Sequence, residues 1–249
     1  MSVFVIADTH LSLSTESKSM EVFGGCWNGY INKLEKNWNE DVKDSDSVII
    51  AGDISWGTDI DLCIEDFRFL NDELNGIKYI LKGNHDYWWN TATKMTAKFE
   101  RNGFDKLNIV HNNAYLCENY IICGTRGWFI DTDAENGENS EESEKPEEEA
   151  FNQKILKREV NRLELSVQAA KKIRSESCGC EIVACIHYPP IYGDYICSEI
   201  INVLEREEIR RCYFGHIHNA NEAKVKKEYK NINFELVSAD YLKFKPFKL

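Results

Sequence analysis

No stretch of this 249-residue chain approaches the ~18 consecutive apolar residues that a membrane-spanning helix needs. The apolar run that begins at Val3 is not preceded by a basic segment, and no cleavage site follows it. A secretory leader is therefore not expected, and the cytoplasm is the expected compartment. There is also no block of Lys and Arg. With a formal net charge of −12 the chain lacks the positive footprint that coats nucleic acid, so DNA or RNA is not an expected partner. The nine cysteines (26, 63, 117, 123, 178, 180, 185, 197 and 212) are odd in number and lack the two-pair spacing of a structural zinc site. Several lie inside apolar runs, which suits thiols of a core better than a disulfide framework. No internal repeat is present.

What the chain does have is core material. At 43% hydrophobic and 12% aromatic residues it can bury a sizeable interior, which excludes global disorder. Its length fits one large α/β domain or two small ones. The negative charge is concentrated: ten acids against Lys145 in residues 131–149 carry nine of the twelve net charges. That tract has almost no apolar content and reads as a solvated acidic loop inserted into a single domain of residues 1–249. It is not read as a linker, because a helix rather than a new fold signal follows it.

Short apolar runs at residues 3–7, 47–51 and 77–81 alternate with helical stripes at 30–42 (Leu34, Trp38, Val42) and 59–74 (Leu62, Phe67, Leu70, Leu74 inward). Such alternation reads as parallel βαβ units. The segment from Ser12 to Gly29 reads as a polar loop. Further on, a helix is expected at 92–101 and short strands at 108–110 and 120–124. The longest helix is expected at 148–174, where Leu156, Val160, Leu163, Val167 and Ala170 form one stripe. Strands at 181–186, 211–214 and 233–238, with a helix near 198–207, complete the chain. The fold class is α/β.

Five of these strands finish in metal-ligand types: Asp8 and His10, Asp53, Asn84 and His85, His187, and His216 and His218. In open α/β sheets, ligands bind at the carboxyl ends of strands. Of the six histidines only His111 lies elsewhere, so scatter as core or surface residues does not explain the placement. The donors are nitrogen and oxygen without thiolate, which suits Mn²⁺, Fe²⁺ or Zn²⁺. So many candidate ligands exceed what one ion takes from protein. Two divalent ions about 3.5–4 Å apart are the economical reading, with Asp53, alone at its strand end, as the bridge.

The motifs Asp8-x-His10, Gly52-Asp53, Gly83-Asn84-His85-Asp86, His187 and Gly215-His216-x-His218 resemble those of the calcineurin-like metallophosphoesterase superfamily, in its bacterial-type phosphohydrolase branch. The resemblance implies a four-layer α/β/β/α sandwich with the site at the carboxyl edge of its sheets. It implies that Asp8, His10 and His218 hold one metal, that Asn84, His187 and His216 hold the second, and that Asp53 bridges them. His85 would stay off the metals and act as general acid, while a metal-activated hydroxide attacks phosphorus.

The protein phosphatases of that superfamily follow the bridging aspartate with an aspartate–arginine pair, where this chain reads Ile54-Ser55-Trp56-Gly57. A protein phosphatase activity is therefore disfavoured. Arg126 is the candidate phosphate clamp in its place, or else an exposed turn residue. Asp86 either supports a metal ligand from behind or caps the following helix. Trp56, Trp88, Trp89 and Trp128 lie near the motifs, placed either to stack an aromatic leaving group such as a nucleobase or to pack the core. The expected activity is hydrolysis of small phosphomonoesters or phosphodiesters. The alternatives are a nuclease, or an inactive metal-bound scaffold whose protein partner the sequence does not name.

Overall fold

The structure, a computed structural model, describes residues 1–15, 19–129, 146–177 and 179–249. The amino-terminal half forms strands β1 (Val3–Ile6), β2 (Ser47–Ile50), β3 (Ile77–Ile80) and β4 (Leu107–Ile109), interleaved with helices α1 (Tyr30–Asp41), α2 (Ile64–Arg68) and α3 (Ala92–Asn102). Each helical crossover returns the chain in the same direction, so these four strands pair in sequence order and in parallel.

Strands β5 (Tyr115–Cys117) and β6 (Tyr120–Thr125), helix α4 (Pro146–Glu176) and strand β7 (Glu181–Ile186) open the second half. A small hairpin follows, β8 (Ile191–Tyr192) and β9 (Tyr195–Ile196), then helix α5 (Ser198–Arg206) and strands β10 (Arg211–Phe214), β11 (Glu228–Tyr229) and β12 (Ile232–Leu236). The second sheet runs β11-β12-β10-β7-β6-β5, its four inner strands parallel. The last strand, β13 (Phe247–Lys248), crosses back to pair antiparallel with β1.

Because strand residues alternate between faces, each sheet has two apolar sides to cover. Val3, Val5, Ile49, Tyr79 and Leu81 of the first sheet meet Ile122, Val183, Cys185 and Tyr213 of the second in one buried layer. Phe4, Ile6, Val48 and Ile50 face the other way, onto α1, α2 and α3. Ile182, Ala184 and Phe234 likewise pack under α4 and α5. The expected four-layer α/β/β/α sandwich results. The sheets join at their carboxyl edge, where Ala7, just past β1, bridges in parallel to Ser238, just past β12.

Several expectations are corrected locally. The helix expected at 59–74 opens as a 3-10 turn (Ile60–Cys63) and closes as a π-helix (Phe69–Glu73). The tighter first turn swings Leu62 outward, 45% exposed, and buries Cys63 instead. In β3 burial runs against side-chain polarity. Ile77 stands exposed at the open end of the strand, while Lys78 is fully buried with its ammonium donating to the Leu74 carbonyl. The polar segment at 12–29 contains two 3-10 turns, and its Met20 and Trp27 are core residues. Most of the acidic tract lies outside the described residues, and its end from residue 146 belongs to α4 rather than to a loop. The described cysteines are all free thiols, and six of them are buried. No helix among the described residues is long and apolar enough to cross a membrane.

Candidate metal centre

The strand ends turn sharply. Asp8, His10, Asp53 and His216 all have positive φ (59°, 43°, 51° and 73°), a region that costs a non-glycine residue on the order of 1–3 kcal/mol. Hydrogen bonds hold these turns: His216 N–H donates to Asp8 Oδ2 (2.9 Å), His10 N–H to the Asp53 carbonyl (3.0 Å) and Asp8 N–H to the Gly52 carbonyl (2.9 Å). Close approach explains two of the glycines. A Cβ on Gly83 would lie 2.0 Å from Asp53 Oδ1, and one on Gly215 would lie 2.6 Å from Asp8 Oδ2. Each of these two glycines is thus the gap through which another motif's carboxylate passes.

All seven residues expected as ligands converge. His10 Nε2 lies 3.1 Å from His218 Nε2 and 3.6 Å from Asp53 Oδ2. The other oxygen of Asp53 lies 3.5 Å from His187 Nε2. Asn84 Oδ1 is 2.6 Å from His187 Nε2 and 2.9 Å from His216 Nδ1. Donor atoms of Asp8, His10 and His218, and again of Asp8, Asp53 and His187, fall within 4.8 Å of one another. Asp53 therefore turns one oxygen to each half of the cluster. The second trio brings Asp8 closer to that half than its expected place with His10 and His218 suggests.

The donor chemistry fits cations. His187 Nδ1 meets the Ala51 carbonyl at 3.0 Å, an acceptor only, so a neutral ring carries its proton there. Its Nε2 lone pair then points at two further acceptors, Asn84 Oδ1 and Asp53 Oδ1. Asp8 Oδ1 is buried without a hydrogen-bond partner. Acceptors converging on one buried space are stable only around positive charge.

In the absence of metal, burial raises Asp8 to about 6 and lifts Asp53 well above the usual carboxylate range, with Asp86 adding to the effect. Burial likewise lowers His10, His187 and His216, the last to about 3. For His218, burial opposes the charge, but the hydrogen bond with Asp240 and the carboxylates of Asp8, Asp240 and Asp53 outweigh it and push the ring up to about 9.

His85 lies beside the cluster. Its backbone N–H donates to Asp53 Oδ1 (2.8 Å), and its ring stands 5.7 Å from that of His10 and 4.6 Å from Trp56. Its Nδ1 is buried without a hydrogen-bond partner, and burial, then His187 and His218, lower its pKa. Asp86 does not orient it. That carboxylate accepts instead from the N–H groups of Asp53 (3.0 Å), Ile54 (2.9 Å), Ser55 (3.3 Å) and Gly83 (2.7 Å) and from Trp88 Nε1 (3.0 Å). It ties the β2 and β3 loops together and is not a helix cap, since Thr91 caps α3. Packing against Trp56, which also stacks on His10 (4.8 Å, 22°), is what holds the His85 ring.

The other tryptophans divide. Trp88 is a core residue against Phe67, and Trp89 packs on Trp88 and His111. Trp128 packs on Tyr188. Arg126 lies outside the metal cluster: its guanidinium is 3.4 Å from Glu159 and over the rings of Trp128 and Tyr188.

One residue that the motifs do not reveal is Asp240. Its Oδ1 is 3.0 Å from His218 Nδ1 and its Oδ2 accepts from Asn219 N–H (2.9 Å), fixing Nε2 of His218 as the atom that faces the site. It follows β12, so position just past a strand end was the one available signal.

A family model for calcineurin-like phosphoesterases matches residues 1–220. Among solved structures, the chain is similar to TT1561 of Thermus thermophilus, with a TM-score of 0.53 and 11% identity over 99% of this chain and 97% of that one. It is also similar to AQ665 of Aquifex aeolicus, a protein of unknown function (TM-score 0.49, 15% identity, 99% and 95% covered). At such identity the first likeness is one of fold alone. A comparison with curated proteins finds no match.

Proposed function

The chain belongs to the calcineurin-like phosphoesterase family, and from that premise we propose that it hydrolyses small phosphomonoesters or phosphodiesters with two divalent metal ions. The observation that carries the reading is the His187 Nε2 lone pair, aimed at Asn84 Oδ1 (2.6 Å) and Asp53 Oδ1 (3.5 Å) with its Nδ1 committed to Ala51. Asp8, His10 and His218 would hold one ion, Asn84, His187 and His216 the other, and Asp53 both. Bound there, Mn²⁺, Fe²⁺ or Zn²⁺ supplies Lewis acidity and lowers the pKa of a water to near neutrality.

The protein's own part is positioning and proton transfer. Asp53 keeps the two halves of the cluster in register, with its loop fixed by Asp86. His85 donates a proton to the departing oxygen. Burial lowers its pKa, so the charge of the bound phosphate is what would keep the ring protonated for that step.

The side of the site next to Trp56 is apolar. Met20, Val22, Phe23 and Trp56 line a pocket of about 210 Å³, with Val22 and Phe23 exposed. That lining supports an aromatic or apolar leaving group, nucleobases included.

His85→Ala is the test. It should retain the metals and lose about 10²–10⁴-fold in kcat, most with poor leaving groups. Activity of the unmodified protein on p-nitrophenyl phosphate or its bis-ester should vanish with chelator and return with Mn²⁺. A His85→Ala protein that hydrolyses alkyl phosphates at the original rate refutes the acid role.

A further inference from the structure

The loop after Asp53 reads Ile54-Ser55-Trp56-Gly57, and Trp56 is its point of contact with His85. The nearest ring to His85 is Trp56 (4.6 Å), ahead of His10 (5.7 Å) and Tyr87 (6.2 Å). His85 Nδ1 has no hydrogen-bond partner among the described residues, so the place of that ring follows from where Trp56 stands. The same indole lines the apolar pocket with Met20, Val22 and Phe23. The acid and the leaving group thus share one wall.

Two buried carboxylates grip this loop from opposite ends. Asp86, after β3, accepts from the N–H groups of Asp53, Ile54 and Ser55. The second is Asp66, a fully buried residue of α2. Its Oδ2 accepts from the Ser55 hydroxyl, and its Oδ1 accepts from Leu13 N–H (2.7 Å) in the loop after β1. Ser55 Oγ in turn accepts from Gly57 N–H (3.1 Å). The chain on both sides of Trp56 is therefore tied to Asp66.

Packing closes the same link. A Cβ on Gly57 would collide with Cys63 Sγ, just ahead of α2, and Trp56 N–H donates to the Leu11 carbonyl (2.9 Å). A buried carboxylate is tolerated only while it keeps its donors, which makes Asp66 a fixed anchor. Among the described residues it bonds neither to a proposed metal ligand nor to His85.

We propose that Asp66 is a positioning residue for proton transfer: through Ser55 it fixes Trp56, and through Trp56 it fixes the ring of His85. This rests on the two-metal reading above, with His85 as the acid, and adds to it a residue remote from both metal and substrate. A reacting group misplaced by about 1 Å can cost on the order of 10²-fold in rate.

Ser55→Ala and Asp66→Ala, compared with His85→Ala, test the proposal on p-nitrophenyl phosphate and an alkyl phosphate. Each should lose roughly 10–100-fold in kcat on the alkyl ester and far less on p-nitrophenyl phosphate, whose leaving group departs without a proton. Trp56→Phe, which keeps a ring beside His85, should lose less than Trp56→Ala. Ser55→Ala added to His85→Ala should bring no further loss on the alkyl ester. A purely structural role would lower both esters alike and add its full effect to that of His85→Ala, and either result overturns the proposal. Unchanged alkyl turnover in His85→Ala would sink the acid role and the proposal together.

The NMR line of the His85 Cε1 proton in Zn²⁺-loaded protein gives a second readout that needs no turnover, because the ring current of Trp56 displaces it. In Ser55→Ala and Asp66→Ala the line should move toward its position in Trp56→Ala. A line that stays in place in both variants overturns the proposal even if no phosphoester is hydrolysed.

Discussion

Asp240 and Ala51 do the same work for two histidines: each occupies one ring nitrogen and leaves the other to the site. Asp240→Asn removes the charge behind His218 while keeping its size. It should cost about 10–100-fold in affinity for a metal ion, read by competition with a fluorescent chelator. An unchanged affinity would mean that the Asp240 contact is incidental. Asp8, Asp53 and the histidines were legible in the sequence because each interrupts an apolar run. Asp240 was not, because a lone aspartate beyond a strand resembles any turn residue. Lys78 is the opposite case, since nothing in the surrounding pattern marks a lysine within a strand for burial. Its burial lowers the pKa from 10.5 to about 7. Between pH 7 and 10.5 the unfolded chain therefore binds more protons than the folded one, and this residue makes stability rise with pH at about 1.4 kcal/mol per unit. Lys78→Met should be more stable than the natural protein by an amount that is largest below pH 7 and shrinks toward about pH 10. Parallel urea-denaturation curves across that range would contradict the burial.

The loop after β3 shows how elements meet. From sequence, Gly83-Asn84-His85-Asp86 is a common kind of turn, and its chemistry was legible only through company with the other strand ends. The structure adds what local patterning does not encode: Gly83 is a passage for Asp53, and Asp86 is a hub that accepts five hydrogen bonds from two loops. Gly83→Ala should push the Asp53 carboxylate aside, at an overpacking cost of about 1–3 kcal/mol, and reduce the bound metal measured by elemental analysis. A variant that still holds both ions would show that the gap is not needed. The main strands and helices were readable from their periodicity. The edge strands β5, β11 and β13 and the β8–β9 hairpin were not, since two- or three-residue pairings depend on the strand beside them rather than on their own pattern. The helix at 59–74 was read in place but not in pitch.

At the scale of the molecule, the proposed centre lies where the two sheets join. Asp8, His10, Asp53 and Asn84 come from the first sheet and His187, His216 and His218 from the second. Each proposed ion would therefore be held by both halves, and occupancy would clamp the sandwich as well as activate water. Ions that bind only the folded state at 100 times their dissociation constant add about 2.7 kcal/mol each. The parallel α/β arrangement was legible because short apolar strands alternate with helical stripes, while the four layers were expected only through the resemblance of the motifs to a known family. The division of ligands between sheets was not legible, because strand order is a long-range property. Two-metal catalysis is tested by titration of Mn²⁺ into chelator-treated protein, following hydrolysis of bis(p-nitrophenyl) phosphate and p-nitrophenyl phosphate. The rate on at least one ester should climb and level off at two bound ions per chain, while a protein that binds both ions and turns over neither ester would contradict it.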